Sequence, residues 1–314
     1  MALSAAAVAG LCAVAVWALW RVFVAGSGRW VDQLAIDGAQ RGRGRLWSYA
    51  QQVLDPLSSV FYGAVGLVVV VSIAVLRRRW RLALLGALVL GAPVATTQVL
   101  KRVLLTRPAL GDGLAVAPNS LPSGHTTAAA ATCAALLFVV GPRWRPVVAV
   151  AGAAYTVLTG WSTYVGYWHR PSDVLAAVAV VTGWSAVACL LLVVPAPAVL
   201  QPDGAASTDG GPRRRTTTWA LVLLLAAALV SAVALVLVVV ALSGTPGGLH
   251  GGVHVVGSRA HLLGYGGGVL ATVGGVCAMV AAQLALRAAA GRVGAADATG
   301  AVETAGADET ALRS

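Results

Sequence analysis

The sequence predicts an all-α fold: a polytopic membrane helical bundle with a six-span core and two extra C-terminal spans. Three observations carry this. Of the 314 residues, 58% are hydrophobic and only 11% are charged, against about 25% charged in an ordinary soluble domain. The apolar residues are gathered into blocks of about 20, the length that crosses a bilayer as a helix. The arginines stand in short clusters between those blocks, as charges that set membrane orientation do. The formal net charge of +11 is thereby accounted for, and no nucleic-acid partner is expected.

Taken in order, the expected spans are residues 2–25, 57–76, 82–100, 124–141, 146–166, 171–195, 218–242 and 263–286. The first cation is Arg21, so the leading block lacks a basic segment before it and reads as a retained helix, not a signal peptide. Residues 26–56 mix Trp, Asp, Gln and Arg in a loosely amphipathic pattern, suited to an interfacial helix. The core closes near residue 200. A polar, Gly/Pro-rich linker follows at 201–217, then a two-span appendage at 218–287, then an Ala/Gly/Asp/Glu tail at 288–314 expected to be disordered. Cys12, Cys133, Cys189 and Cys277 all lie inside apolar blocks without ligand spacing, which predicts small buried residues, not disulfides or zinc ligands.

Alternating spans put Arg77–Arg79 with Arg81, Arg143 with Arg145, and Arg213–Arg215 on one side, the expected cytoplasmic side. Both ends of the chain then face the cytoplasm, in the plasma membrane. Arg29, Arg41, Arg43 and Arg45 run against the rule. The segments 101–123 and 167–170 fall together on the opposite, extracytoplasmic face.

Three pieces on that face carry chemistry. Of 22 Lys and Arg residues only Lys101 is a lysine, and Arg107-Pro108 follows it. A compact ammonium suits phosphate as a point charge, and arginine offers a planar fork; taken alone, the segment reads more readily as cations snorkelling at a helix end. Next comes Pro122-Ser123-Gly124-His125. Ser123 can cap the fourth span, Gly124 lets a ligand approach the backbone, and the free N–H groups of a helix start bind anions. His125 stands in that first turn. The third piece runs from Ser162 to Asp173 and contains His169, four residues before Asp173. Between residues 57 and 200 the only acids are Asp112 and Asp173. A carboxylate at that spacing can fix the tautomer of His169 and stabilise its imidazolium.

These residues resemble the type 2 phosphatidic acid phosphatase superfamily, which includes the vanadium haloperoxidases. Its pattern is K-x6-RP, PSGH, then SR-x5-H-x3-D. Here PSGH is complete at 122–125, and Ser162, His169 and Asp173 match the third motif. The resemblance covers roughly residues 26–195. It implies that His169 attacks phosphorus to form a phosphohistidine, Asp173 orients His169, and His125 protonates the leaving group and then activates water. It implies that Lys101, Arg107, Ser123, Gly124 and Ser162 hold the phosphate oxygens. No metal and no cofactor is implied, since fixed cations and amides supply the electrostatics. The substrate expected is an amphiphile such as a lipid phosphate or polyprenyl pyrophosphate, with membrane lipids as the only other partners; nothing speaks to oligomeric state.

Two departures stand out. The first motif is one residue short, K-x5-RP, and Thr163 replaces the arginine that follows Ser162. Losing one charge-assisted bond weakens phosphate binding by about 1.5–3 kcal/mol; Arg102 and Arg170 are the candidates to replace it. Two alternative functions stay open: a catalytically weak member that binds lipid phosphate, and a transporter using His169 and Asp173 as a coupling pair. In the appendage, His250, His254, Arg259 and His261 lie in a Gly-rich stretch that reads as an external loop, not a metal site. Residues 264–268 there are Gly-Tyr-Gly-Gly-Gly, which would allow close helix approach.

Overall fold

The computed structural model describes residues 1–26, 28–41, 43–54, 68–70, 72, 76, 80–108, 119–193, 212–244 and 258–311. Among these residues the structure is all helical, a polytopic membrane bundle. Helix α1 spans Ala2–Leu19 and continues as a π-helical turn, Trp20–Val24. Helices α2 (Arg29–Arg41) and α3 (Arg43–Leu54) follow. Helix α4 (Trp80–Val99) ends in a second π-helical turn, Leu100–Leu104. Then come α5 (Gly124–Val139), α6 (Arg145–Val165), α7 (Pro171–Val193), α8 (Pro212–Ser243) and α9 (Ser258–Ala311).

Among the described residues, five stretches are long and apolar enough to cross a membrane: Ala2–Val24, Trp80–Leu104, Pro171–Val193, Thr217–Ser243 and Ser258–Ala290. Helix α5 is apolar but only 16 residues long. Helix α6 has the length but carries Thr156, Thr159, Ser162, Thr163 and Tyr164 on its buried side, which lowers its hydropathy. The expected span 57–76 lies almost wholly outside the described residues, as do most of the linker 201–217 and the loop that holds His250 and His254.

Helix α7 is the axis of the bundle. Fifteen of its residues, from Pro171 to Cys189, are buried, and α1, α4, α5 and α9 all pack on it. A helix apolar all round belongs inside a bundle. Alanines at 176, 177, 179, 186 and 188 let its neighbours come close, which is how helices associate in lipid. Polar pairs add stitches: Thr97 to Thr127 (3.0 Å), Trp184 Nε1–H to Thr96 Oγ1 (3.0 Å) and Gln283 Nε2–H to Thr182 Oγ1 (2.8 Å). Such bonds contribute about 0.6 kcal/mol each within a bilayer. Pro93 sits inside α4, where neighbouring helices make the lost backbone bond tolerable.

The segment 26–56, expected as a single interfacial helix, is two helices, the first of which is α2. It packs against α9, and also contacts α6 and α7, with Leu34, Ala35, Ile36 and Ala39 buried. The contact is close because glycines face it. A Cβ on Gly38 would stand 2.1 Å from the His261 carbonyl oxygen, and one on Gly264 would stand 2.8 Å from Leu34 Cβ. At the other end of the chain, α9 runs as far as Ala311, through most of the tail. Its alanine content favours helix and it contains no proline.

Candidate active site

Lys101, Arg107, Ser123, Gly124, His125, Ser162, His169 and Asp173 all come together at one end of the bundle, where α4 and α6 finish and α5 and α7 begin. Hydrogen bonds to backbone carbonyls sew the three motifs to one another. Asn119 Nδ2 donates to the carbonyls of Leu105 and Leu121 (3.0 and 2.9 Å), joining the Arg107 segment to the turn before α5. Ser123 N–H donates to the Asp173 carbonyl (2.9 Å), joining α5 to α7. Trp20 Nε1–H donates to the Thr106 carbonyl (2.9 Å), pinning the Arg107 segment to α1.

Each functional group is aimed by local structure. The π-helical turn shifts the register of α4 at Lys101, a distortion common at functional sites. It leaves Lys101 half-buried, with its charge acting on both His125 and Asp173. Ser123 caps α5 by accepting from Thr126 N–H (3.4 Å) and the Thr126 hydroxyl (3.0 Å). That leaves its own hydroxyl proton for a further acceptor. Gly124 has nothing within 4 Å of the place a Cβ would occupy, so the mouth of α5 is open. The Ser162 hydroxyl is buried with no hydrogen-bond partner among the described residues, and so is Arg107 Nε. Burial first, and then the nearby Arg170 charge, pull the Arg107 guanidinium below its ordinary pKa. Arg107 is half-buried with its Nε enclosed, and a buried hydroxyl and a guanidinium nitrogen lacking partners each suit an anion.

His169 rides on a tight turn after α6. Tyr167 adopts φ 63°, the left-handed conformation that reverses a chain after a helix. Trp168 N–H and His169 N–H both reach back to the Thr163 carbonyl (3.0 and 3.3 Å). His169 Nδ1 then meets Asp173 Oδ2 at 3.1 Å, and Arg170 N–H donates to the same oxygen at 3.0 Å. With Nδ1 engaged, Nε2 is the free nitrogen. The His125 and His169 ring centroids are 6.4 Å apart and edge-on, and Trp168 lies 5.4 Å from His125. The two imidazoles thus face one another, with the charge of Lys101 acting on His125. Among the described residues, no three His, Cys, Asp or Glu side chains gather as a metal site.

Thr163 contributes no side-chain group to this pocket. Its hydroxyl turns back to the Gly160 carbonyl (2.6 Å) within its own helix. The sequence reading missed the contribution of α2. Asp32 is 3% exposed and accepts from Ser172 N–H (3.1 Å) and the Ser172 hydroxyl (2.5 Å), capping the start of α7. Burial, and then the charge of Asp173, push its pKa up to about 7, opposed by the Ser172 bonds. Gln33 Oε1 accepts from Arg170 Nη2 (2.8 Å), and Arg29 Nη1 donates to the Pro108 carbonyl (3.1 Å). One signal was present: Arg29, Gln33, Asp37 and Gln40 recur at helical spacing, a polar stripe in a membrane protein.

A search among curated proteins finds no match, and neither does one among solved structures. The family profile described as the PAP2 superfamily matches residues 4–198, a stretch that contains every residue of this pocket. The chain therefore belongs to the PAP2 superfamily, and that membership implies phosphatase action on phosphate esters.

Proposed function

We propose that the protein hydrolyses a phosphate monoester or pyrophosphate borne by a membrane lipid, through a phosphohistidine, at the extracytoplasmic face of the plasma membrane. The observation that carries this is the facing pair His125 and His169, 6.4 Å apart, with His169 tied to Asp173. A phosphoryl group bound between them would meet His169 on one side and His125 on the other.

In this mechanism His169 Nε2 attacks phosphorus in line. The positive charge that develops on its ring is offset by Asp173 through Nδ1. His125 gives a proton to the departing oxygen and afterwards takes one from the water that cleaves the phosphohistidine. Lys101, Arg107, the Ser123 and Ser162 hydroxyls and the Gly124 amide hold the non-bridging oxygens as their charge shifts.

A lipid substrate is favoured by an apolar groove of about 290 Å³ between α1, α4 and α7, lined by Cys12, Val16, Leu100, Val180, Trp184 and others. Leu100 adjoins Lys101, and Val180 lies two turns along α7 from Asp173. An alkyl tail can occupy the groove while its head sits at the histidines. The extracytoplasmic placement rests on Arg81, Arg143 and Arg145, which lie at the opposite end of the bundle. The contrary arginines have other work: Arg29 is buried and donates to Pro108, and Arg41 meets His261 Nδ1 at 3.2 Å.

Thr163 favours a second reading, a binding protein with little turnover. Phosphate release from a panel of lipid phosphates and pyrophosphates, in detergent with chelator, separates the two. Release by the wild type and none by His169→Ala supports the enzyme. No release from any substrate, or release that survives His169→Ala, overturns it.

A further inference from the structure

We propose that Arg170, oriented by Gln33 of α2, replaces the arginine missing at position 163 and grips a non-bridging oxygen of the bound phosphate. This rests on reading the pocket as a phosphate site.

Two arginines were open as replacements. Arg102 is exposed on the π-helical turn. Arg170 is half-buried beside His169, and its backbone N–H is spent on Asp173 Oδ2 (3.0 Å). Its Nε is buried with no partner among the described residues, and the same is true of Arg107 Nε. The two guanidiniums are close enough for their charges to oppose one another. The charges of Asp173 and Asp32 offset part of this repulsion, but their oxygens do not resolve it. Asp173 is engaged by His169, and Asp32 by both donors of Ser172. A phosphate oxygen between Arg107 and Arg170 would, because each presents a planar fork matched to phosphate geometry.

Gln33 shows why the arrangement suits a ligand better than mere packing. Its Nε2 donates to Asp37 Oδ1 and to the Tyr167 hydroxyl (both 2.8 Å), and Tyr167 donates to Asp37 (2.7 Å). Those bonds fix the amide orientation and leave Oε1 for Arg170. A neutral oxygen aims the guanidinium without cancelling its charge. A glutamate at the same position would aim it and cancel it.

That contrast supplies the test. Binding of inorganic phosphate to the purified full-length protein in detergent is measured by calorimetry, beside KM for a phosphate ester and the thermal midpoint. Arg170→Gln is expected to weaken phosphate binding roughly 10- to 150-fold, the loss of one charge-assisted bond. Arg170→Lys is expected to fall between it and the wild type, and Arg102→Gln to stay within about two-fold. Gln33→Glu trades the donors to Asp37 and Tyr167 for a carboxylate set against Asp37, so it is expected to lower the thermal midpoint and, in protein that still melts cooperatively, to weaken phosphate binding by about ten-fold because the new charge offsets that of Arg170. The assignment is overturned if folded Arg170→Gln binds phosphate within about two-fold of wild type, if Arg102→Gln matches its loss, or if Gln33→Glu binds undiminished. Should Arg170→Gln fail to fold, Arg170→Lys and Gln33→Glu decide. Wild type that binds phosphate without turning over any ester sinks the proposed enzymatic function and leaves Arg170 assigned; wild type that binds no phosphate sinks both.

Discussion

Asp173→Asn removes one negative charge while keeping the side chain's shape. In the native protein Oδ2 accepts from His169 Nδ1 at 3.1 Å and from Arg170 N–H at 3.0 Å, and Asp173 is 1% exposed. Hydrogen bonds to a buried ion contribute about 1.5–3 kcal/mol each. An asparagine oxygen in the same place accepts them only at the weaker, neutral strength. It also no longer compensates the positive charge that His169 acquires as its Nε2 bonds to phosphorus. Together these raise the barrier by about 3–5 kcal/mol, which lowers kcat about 10²- to 10⁴-fold. KM should change little, because Lys101, Arg107 and the mouth of α5 hold the phosphate. The assay is steady-state phosphate release in detergent, with a melting curve to verify the fold. A kcat within about ten-fold of wild type, in protein that melts normally, would refute the claim that Asp173 orients and charges His169.

Four further outcomes follow from the same geometry. His125→Ala should lower kcat about 10²- to 10⁴-fold on an alkyl phosphate, and much less on a nitrophenyl ester whose leaving group needs no proton; equal losses on both refute its role as acid. Asp32 has a folded pKa of about 7 against 3.8 for the free group, so the folded state holds the extra proton in that window and loses stability as pH rises from about 4 to 7. Melting midpoints in detergent should therefore decline across that range, and Asp32→Asn should flatten the decline; parallel curves refute it. Gly38→Ala drives a methyl group into the His261 carbonyl and should destabilise the protein by about 1–3 kcal/mol, with reduced activity because α2 carries Gln33 and Asp32; an unchanged midpoint refutes the close α2–α9 contact. Gly183→Leu extends from a Cβ position 3.4 Å from Cys12 Cβ into the apolar groove, and should lower kcat/KM for long-chain lipid phosphates while sparing a short soluble ester; equal effects on both remove the groove from substrate binding.

Hydropathy made the all-helical membrane bundle legible before any coordinates, because the free energy of placing a residue in lipid is local and adds along the chain. Helix starts at Ser123 and Pro171 were legible for the same reason, since capping is decided within one turn. The motif spacing named His125, His169 and Asp173 as a set, and their meeting at one end follows from span alternation. Tertiary structure alone decided the rest. The bonds from α2 to the His169 turn join residues 137 and 140 apart in sequence, and no local pattern encodes a pairing at that distance. The appendage became a support for α2 only because Gly38 and Gly264 let two helices touch at backbone distance, a fit that depends on both surfaces at once. That Arg170 is half-buried with its charge felt by Arg107, while Arg102 is exposed, was decided in the same way: charge is written in the sequence, but the direction in which a charge points is a property of packing.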